Sequence, residues 1–154
     1  MTDKNLEARI QHLEDTAEIT RLMNEYCYHA DNADGENWAQ VFTEDGAFET
    51  DLFGSVEGRA EIRALQHRSF AIHMNTNPII DIDGDKARGR WILLMPCSFD
   101  TPEGKRAVWA AAKYDNDIER VDGKWLFRRV RLISIMWTPF DKGWELERVI
   151  EQAV

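Results

Sequence analysis

The sequence predicts an α+β fold, and three observations predict it. Apolar residues recur at helical spacing over the first part of the chain, four long β-type runs follow, and short turn signals separate those runs. In the first segment the apolar positions are Leu6, Ile10, Leu13, Ala17, Ile19, Leu22, Met23, Tyr26 and Ala30. That spacing predicts one long helix to about Ala30, bent near Asp15–Thr16, with an apolar stripe laid on the rest of the fold. Asp31-Asn32-Ala33-Asp34-Gly35 is its stop signal. A short helix follows from about Glu36 to Phe42, capped by Asp34, with Trp38, Val41 and Phe42 turned inward. Thr43-Glu44-Asp45-Gly46 reads as a turn, Ala47 to Phe53 as a short strand, and Gly54 to Gly58 as a bend. Arg59 to about Ser69 is a third helix anchored by Ile62 and Leu65.

The four runs cover Ala71–Asp83, Lys86–Phe99, Lys105–Glu119 and Lys124–Trp137. Asp83-Gly84, Thr101-Pro102-Glu103-Gly104 and Asp122-Gly123 punctuate them, as expected of an antiparallel meander. Strands of a dozen residues exceed the usual length of about five or six, so the sheet must curl around the helices. A curled sheet closed by helices is a cone with room for a ligand.

Composition bounds the function. A chain of 154 residues with 44% apolar content is one domain, 1–154, with a substantial core. A formal charge of −9 with scattered Lys and Arg excludes a nucleic-acid partner, which needs clustered bases. No apolar run approaches the ~20 residues of a membrane span, and the N-terminus lacks a signal-peptide core. Cys27 and Cys97 make no disulfide framework, so reduced thiols in a cytoplasm are the expectation. The histidines show no metal-ligand spacing, so no metal is expected, and the glycines make no phosphate loop.

The last strand sets the phase of the sheet. Its even positions, Leu126, Arg128, Val130, Leu132, Ser134 and Met136, form the smoother apolar face, with Ser134 as the small polar group. Its odd positions mix Trp125, Phe127, Ile133, Ile135 and Trp137 with Arg129 and Arg131, a composition suited to an inter-subunit surface. The even face is therefore expected to line the cone.

The stretch with chemical character is His73-Met74-Asn75-Thr76-Asn77, where period two places His73, Asn75 and Asn77 on one face. Outward strand faces carry Thr, Lys or Glu, so this row points to a polar pocket. An imidazole is a competent general base only when its tautomer is held. A carboxylate on the other ring nitrogen does this and stabilises the imidazolium. Asp31, where the first helix stops, is the candidate orienter, and Tyr26 the candidate donor to a substrate oxygen. Five residues turn an ideal helix by about 140°, so the two converge only if the helix ends between them. Taken singly, His73 also reads as a histidine bonded to structure, Asp31 as a solvated carboxylate and Tyr26 as a core aromatic. Tyr28, His29, His67 and His12 read as surface or subunit-contact residues.

A resemblance joins these candidates. Leu-Glu-Asp at 13–15, Tyr26-x4-Asp31, Trp38, Phe42-Thr43-Glu44-Asp45, Gly58-Arg59-x-Glu61-Ile62, His73-x3-Asn77, Gly89-Arg90-Trp91 and Asp122-Gly123-Lys124-Trp125 resemble the SnoaL-like branch of the nuclear-transport-factor-2-like superfamily over nearly the whole chain. Within it the chain is most similar to scytalone dehydratase, bile-acid 7α-dehydratase and lindane dehydrochlorinase. The resemblance implies a cone-shaped, cystatin-like α+β barrel, with three N-terminal helices packed into a strongly curved, mainly antiparallel sheet. It implies a cofactor-independent lyase acting on a hydrophobic cyclic or aromatic small molecule, and a homo-oligomer, trimer before dimer. His73 falls at the catalytic histidine, Asp31 at its carboxylate partner, and Tyr26 at the tyrosine of the bile-acid enzyme. Leu93, Met95, Tyr114 and Ser134 should line the cavity together with Trp38, beside the small Ala110 and Ala112. Where the dehydrochlorinase places an arginine on the last strand, Val130 aligns, so no residue is assigned as the cation for a leaving group. The chemistries left open are elimination of water, formaldehyde or halide, isomerisation or cyclisation of a polyketide- or steroid-like substrate, and binding without catalysis.

Overall fold

The computed structural model describes residues 3–65, 70–101 and 104–149. The elements are α1 (Asp3–Asp31), α2 (Gly35–Gln40), β1 (Phe42–Thr50), β2 (Gly54–Glu57), α3 (Arg59–Ala64), β3 (Met74–Asp83), β4 (Lys86–Thr101), β5 (Gly104–Val121), β6 (Lys124–Pro139) and α4 (Gly143–Leu146). One six-stranded sheet runs in the order β2-β1-β6-β5-β4-β3. All neighbours pair antiparallel except β1 and β6, which are parallel. The α+β plan and the mainly antiparallel sheet of long strands are thus as the sequence predicts.

β4, β5 and β6 have 16, 18 and 16 residues. Every second residue of β5 from Val108 to Ile118 is buried, including Ala110, Ala112, Tyr114 and Asn116. Trp91, Leu93, Met95 and Cys97 of β4 bury on the same side. This period-two burial over so many residues is the signature of a sheet with one face on the core and the other turned out. Asp122 and Gly123, with φ of 49° and 79°, make the two-residue turn between β5 and β6, where two successive positive φ values favour Asp-Gly. Gly89 is required for another reason: the ring of Trp91 and Ile118 Cδ1 occupy the space a Cβ would need.

The N-terminal region corrects the expected packing. Leu6, Ile10 and Leu13 are 55%, 46% and 67% exposed, so the first turns of α1 do not lay their stripe on this domain. Burial begins at Asp15 and continues through Ile19, Leu22, Met23, Tyr26, Cys27 and Ala30. Asp15 is the tether. Its Oδ1 accepts from Arg120 at 2.5 Å, from the Trp125 indole at 3.2 Å and from Gln11 at 3.1 Å, fastening α1 to the β5–β6 hairpin.

α1 ends in a Schellman motif. Asp34 N–H donates to His29 O and Ala33 N–H to Ala30 O, with Ala33 at φ 54° in the position glycine usually takes. Asp34 then caps α2 through Asn37 N–H, as predicted. Further on, the boundaries move. Thr43–Gly46 is not a turn but part of β1, accommodated by a register shift against β6 between Phe42 and Ala47. The Gly54–Gly58 bend is strand β2, hairpinned onto β1. The meander reading carries no signal for the parallel β1–β6 pairing, which is set by long-range packing. α4 and the Trp137–Val149 bridge were not expected either. α3 is described to Ala64, and the expected continuation to Ser69, with His67, lies outside the described residues, as do Pro102 and Glu103 of one expected turn.

The expected phase of β6 fails at both ends because two bulges interrupt it. Arg128 is the extra residue against Asp117–Ile118, and Ile135 the extra residue against Ala111–Ala112. Each insertion moves the side chains to the opposite face. Trp125 and Phe127 are therefore buried before the first bulge, Val130 between the two, and Trp137 after the second. Only the middle of the even-numbered row faces inward. β3 shows the same effect. Its register shifts between Thr76 and Ile79, and Asn77 sits there exposed at φ 55°, so Asn77 does not share the face of His73 and Asn75.

Candidate active site

A cavity of about 340 Å³ opens between the inner face of the sheet and the helices. Leu93, Met95 and Cys97 of β4, Ala110, Ala111 and Ala112 of β5, and Leu132, Ser134 and Trp137 of β6 form its sheet side. Tyr26 and Ala30 of α1, Trp38 of α2 and Phe48, Thr50 and Phe53 around β1 form the other, with Leu65, His73, Ser98 and Asp100 also lining it. The alanines of β5 make the volume: larger residues on that strand would fill the cone, as Tyr114 does below them.

Of the residues expected to line the site, Trp38, Leu93, Met95 and Ser134 border this cavity. Tyr114 does not. It is 1% exposed and lies beneath the floor, its ring 6.0 Å from that of Tyr26. Phe53, Ser98, Asp100 and Trp137 border the cavity without having been singled out. Trp137 carried a misleading signal, because its parity placed it on the outer face until the bulge at Ile135 is counted.

His73 lies just before β3, its side chain 5% exposed. Its Nδ1 is 2.5 Å from Asp31 Oδ1, and its backbone N–H donates to both Asp31 oxygens, at 3.1 and 3.0 Å. A carboxylate accepting from the backbone in this way accepts from the imidazole as well, so Nδ1 carries the proton and Nε2 the lone pair of the neutral ring. Tyr26 meets the imidazole edge-on at 6.3 Å between centroids. Here the structure corrects a geometric expectation: α1 does not end between Tyr26 and Asp31 but runs to Asp31. The two side chains leave different faces of the last turns and meet His73 separately. The Schellman stop directly after Asp31 leaves the chain free to turn into α2.

A second contact supports this arrangement. Asn75 Nδ2 donates to Cys27 Sγ at 2.7 Å, joining β3 to α1 one residue beyond Tyr26. The Cys27 thiol is pushed up to about 12, first by burial and then by the negative charge of Asp31. It is thus a neutral packing group next to the carboxylate. On the β6 side of the cavity, Asp51 accepts from Ser134 Oγ–H at 2.7 Å and from Ser134 N–H at 3.1 and 3.0 Å. That holds the loop bearing Phe53, whose ring lies 5.1 Å from Trp137.

The arginines of β6 are committed elsewhere. Arg129 pairs with Asp117 at 2.6 Å and Arg131 with Glu49 at 2.9 Å, while Val130 between them is fully buried. No Lys or Arg borders the cavity among the described residues. Tyr28 is exposed on α1, His12 is exposed, and His29 stands 3.4 Å from Asp34. Among the described residues no group of His, Cys, Asp or Glu is arranged to hold a metal ion. No helix among them is long and apolar enough to cross a membrane.

Comparison with known proteins gives these features a family. No curated protein matches the chain with significance. Among solved structures, a variant of Rv3472 from Mycobacterium tuberculosis, a protein of unknown function, is 28% identical over 82% of this chain and 75% of that one, with a TM-score of 0.70. An NTF2-like protein with a cystatin-like fold from Novosphingobium aromaticivorans is 24% identical over 87% and 90%, with a TM-score of 0.70. The hexachlorocyclohexane dehydrochlorinase LinA-type3 from Novosphingobium barchaimii is 22% identical over 86% and 94%, with a TM-score of 0.76. The last two likenesses are of fold. The family profile described as the SnoaL-like domain matches residues 11–131, from Gln11 in α1 through to the middle of β6. With that match over most of its length, the chain belongs to the SnoaL-like domain family and has the NTF2-like, cystatin-like α+β fold.

Proposed function

We propose that the protein is a cofactor-independent lyase acting on a hydrophobic cyclic or aromatic small molecule. The observation that carries this reading is the 2.5 Å contact between His73 Nδ1 and Asp31 with the imidazole at the cavity wall. Asp31 fixes the tautomer, so Nε2 removes a proton from carbon, and the carboxylate stabilises the imidazolium that results. The electron pair of the broken C–H bond forms the new double bond as the adjacent group departs. Tyr26 stands beside the imidazole to supply a proton to an oxygen leaving group, which makes loss of water the favoured version. Loss of formaldehyde or halide would use the same base. Membership of the SnoaL-like domain family and a fold shared with a dehydrochlorinase support the reading without fixing the substrate.

Product mass tests it. Incubation with cyclic alcohols sized to the cavity should yield products lighter by one water. Products of unchanged mass would replace the lyase with an isomerase or cyclase that moves the proton within one substrate. Tight ligand binding with no product from any of the panel would leave a binding module.

The outer sheet face bears on assembly. Leu94, Ile133 and Ile135 are exposed there, beside the paired Arg129 and Arg131. We read this mixed face as the contact of a homotrimer, with a dimer as the rival. Sedimentation equilibrium should give three times the chain mass of 17.9 kDa, and a monomer at micromolar concentration would remove the proposal.

A further inference from the structure

We propose that Trp38 is the specificity-determining residue of the cavity, selecting ligands that carry an oxygen acceptor over halogenated or hydrocarbon analogues. The proposal rests on the cavity being the ligand site, and it does not depend on what reaction follows.

Trp38 borders the cavity from α2 and is 3% exposed. Its ring is wedged between Tyr26, Phe42 and Phe48, with centroids at 5.4, 5.6 and 5.5 Å. Its Nε1–H is buried and has no acceptor among the described residues. Buried indoles ordinarily find a partner. Trp125 of the same chain does so, donating to Asp15 at 3.2 Å. Two other donors on the cavity wall are engaged: His73 Nδ1–H serves Asp31 and Ser134 Oγ–H serves Asp51. A desolvated donor left open beside a ligand cavity is satisfied when a ligand brings the acceptor.

The location gives the group its selectivity. The Tyr26 ring neighbours both Trp38, at 5.4 Å, and the His73 imidazole, at 6.3 Å, so the indole and the imidazole belong to the same part of the cavity wall. Carbon-bound chlorine is a poor acceptor, and a purely chlorinated ring would leave the indole N–H unsatisfied. A site built to hydrogen-bond a polar group discriminates strongly against an analogue that lacks it. The ligand class is therefore oxygenated rings: ketones, alcohols or ethers.

1-Tetralone and tetralin share a ring system and differ in one carbonyl, so their affinity ratio isolates the acceptor. Dissociation constants for both are measured with wild-type protein, Trp38→Phe and His73→Ala. Because the same two ligands are compared throughout, differences in their own hydration cancel. The expected result is a preference for 1-tetralone that falls about tenfold in Trp38→Phe and persists in His73→Ala. In ¹H–¹⁵N spectra, one of the six indole resonances should move downfield with 1-tetralone and not with tetralin, and be absent from Trp38→Phe. Should that variant fail to fold, the wild-type resonance still decides, assigned by its proximity to the Tyr26 ring. An unchanged ratio in Trp38→Phe, an indole resonance indifferent to the carbonyl, or no binding of 1-tetralone up to its solubility each overturns the proposal. Loss of the elimination reading with these results intact would leave an oxygen-selective binding protein.

Discussion

Replacing Asp31 by Asn is expected to lower kcat/KM by about 10³–10⁴-fold, and His73→Ala by at least as much. The reason lies in the count of acceptors. Asp31 receives the His73 backbone N–H on both oxygens and the ring Nδ1–H on one of them. Asparagine keeps one carbonyl oxygen and substitutes an NH₂ donor for the other. If the backbone N–H retains the oxygen, the NH₂ faces Nδ1 and forces the proton to Nε2, where the base is needed. The ring then sits in the right place in the wrong tautomer. The two substitutions should therefore combine without adding, because each disables the same base. Affinity for 1-tetralone should change little in either variant, and the circular dichroism spectrum should be preserved. Retention of more than a tenth of the wild-type kcat/KM in His73→Ala, with whichever substrate is turned over, would falsify the general-base assignment.

The second large effect concerns stability and lies far from the cavity. Asp15→Ala should destabilise the protein by about 3 kcal/mol, because it takes the buried carboxylate from Arg120, which keeps only the exposed Asp85 at 3.2 Å, and leaves the Trp125 indole without its acceptor. For a chain of this size that corresponds to a fall in Tm of roughly 6–12 °C. Asp15 is 4% exposed, so solvent does little to replace what is lost. The same network predicts a pH dependence. Burial pushes the Asp15 carboxyl up, but hydrogen bonds from Arg120, Trp125 and Gln11 and the charge of Arg120 together hold it below the ordinary value of 3.8. The folded state thus binds this proton less readily than the unfolded chain. The contribution is complete above the unfolded value and is lost as pH falls through the lower, folded one. Denaturant titrations from pH 6 to pH 2 should show the gap between wild type and Asp15→Ala closing on the acid side. A gap that stays constant, or a change in Tm under 2 °C, would show that the tether is dispensable.

Much of the fold was legible in the residues themselves. The helical spacing from Ile19 to Ala30, the Asp31–Gly35 stop and the Asp122-Gly123 turn are local signals, and each operates where it was read. Period two carried through β5 without interruption, so its buried row was readable to the residue. The same rule failed on β6 and β3, where bulges at Arg128 and Ile135 and the shift at Asn77 change the face in mid-strand. A bulge is decided by how the partner strand must bend around the core, and no pattern within β6 announces it. For that reason Trp137 was placed outside when it borders the cavity, whereas Tyr114, expected at the wall from the resemblance, sits on the inward face of β5 but too deep to border the cavity.

The sequence by itself determined the type and order of most elements, the antiparallel run of long strands, the acidic surface and the small set of residues able to do acid–base chemistry. These follow from propensity and periodicity over a few neighbouring positions. The tertiary structure alone decided that Asp31 reaches an imidazole 42 positions away, that β1 lies parallel to β6, and that an indole N–H is left open beside the cavity. Those facts depend on the register between segments far apart in the chain, and register is set only when the curved sheet closes over the helices and all its strands must fit at once.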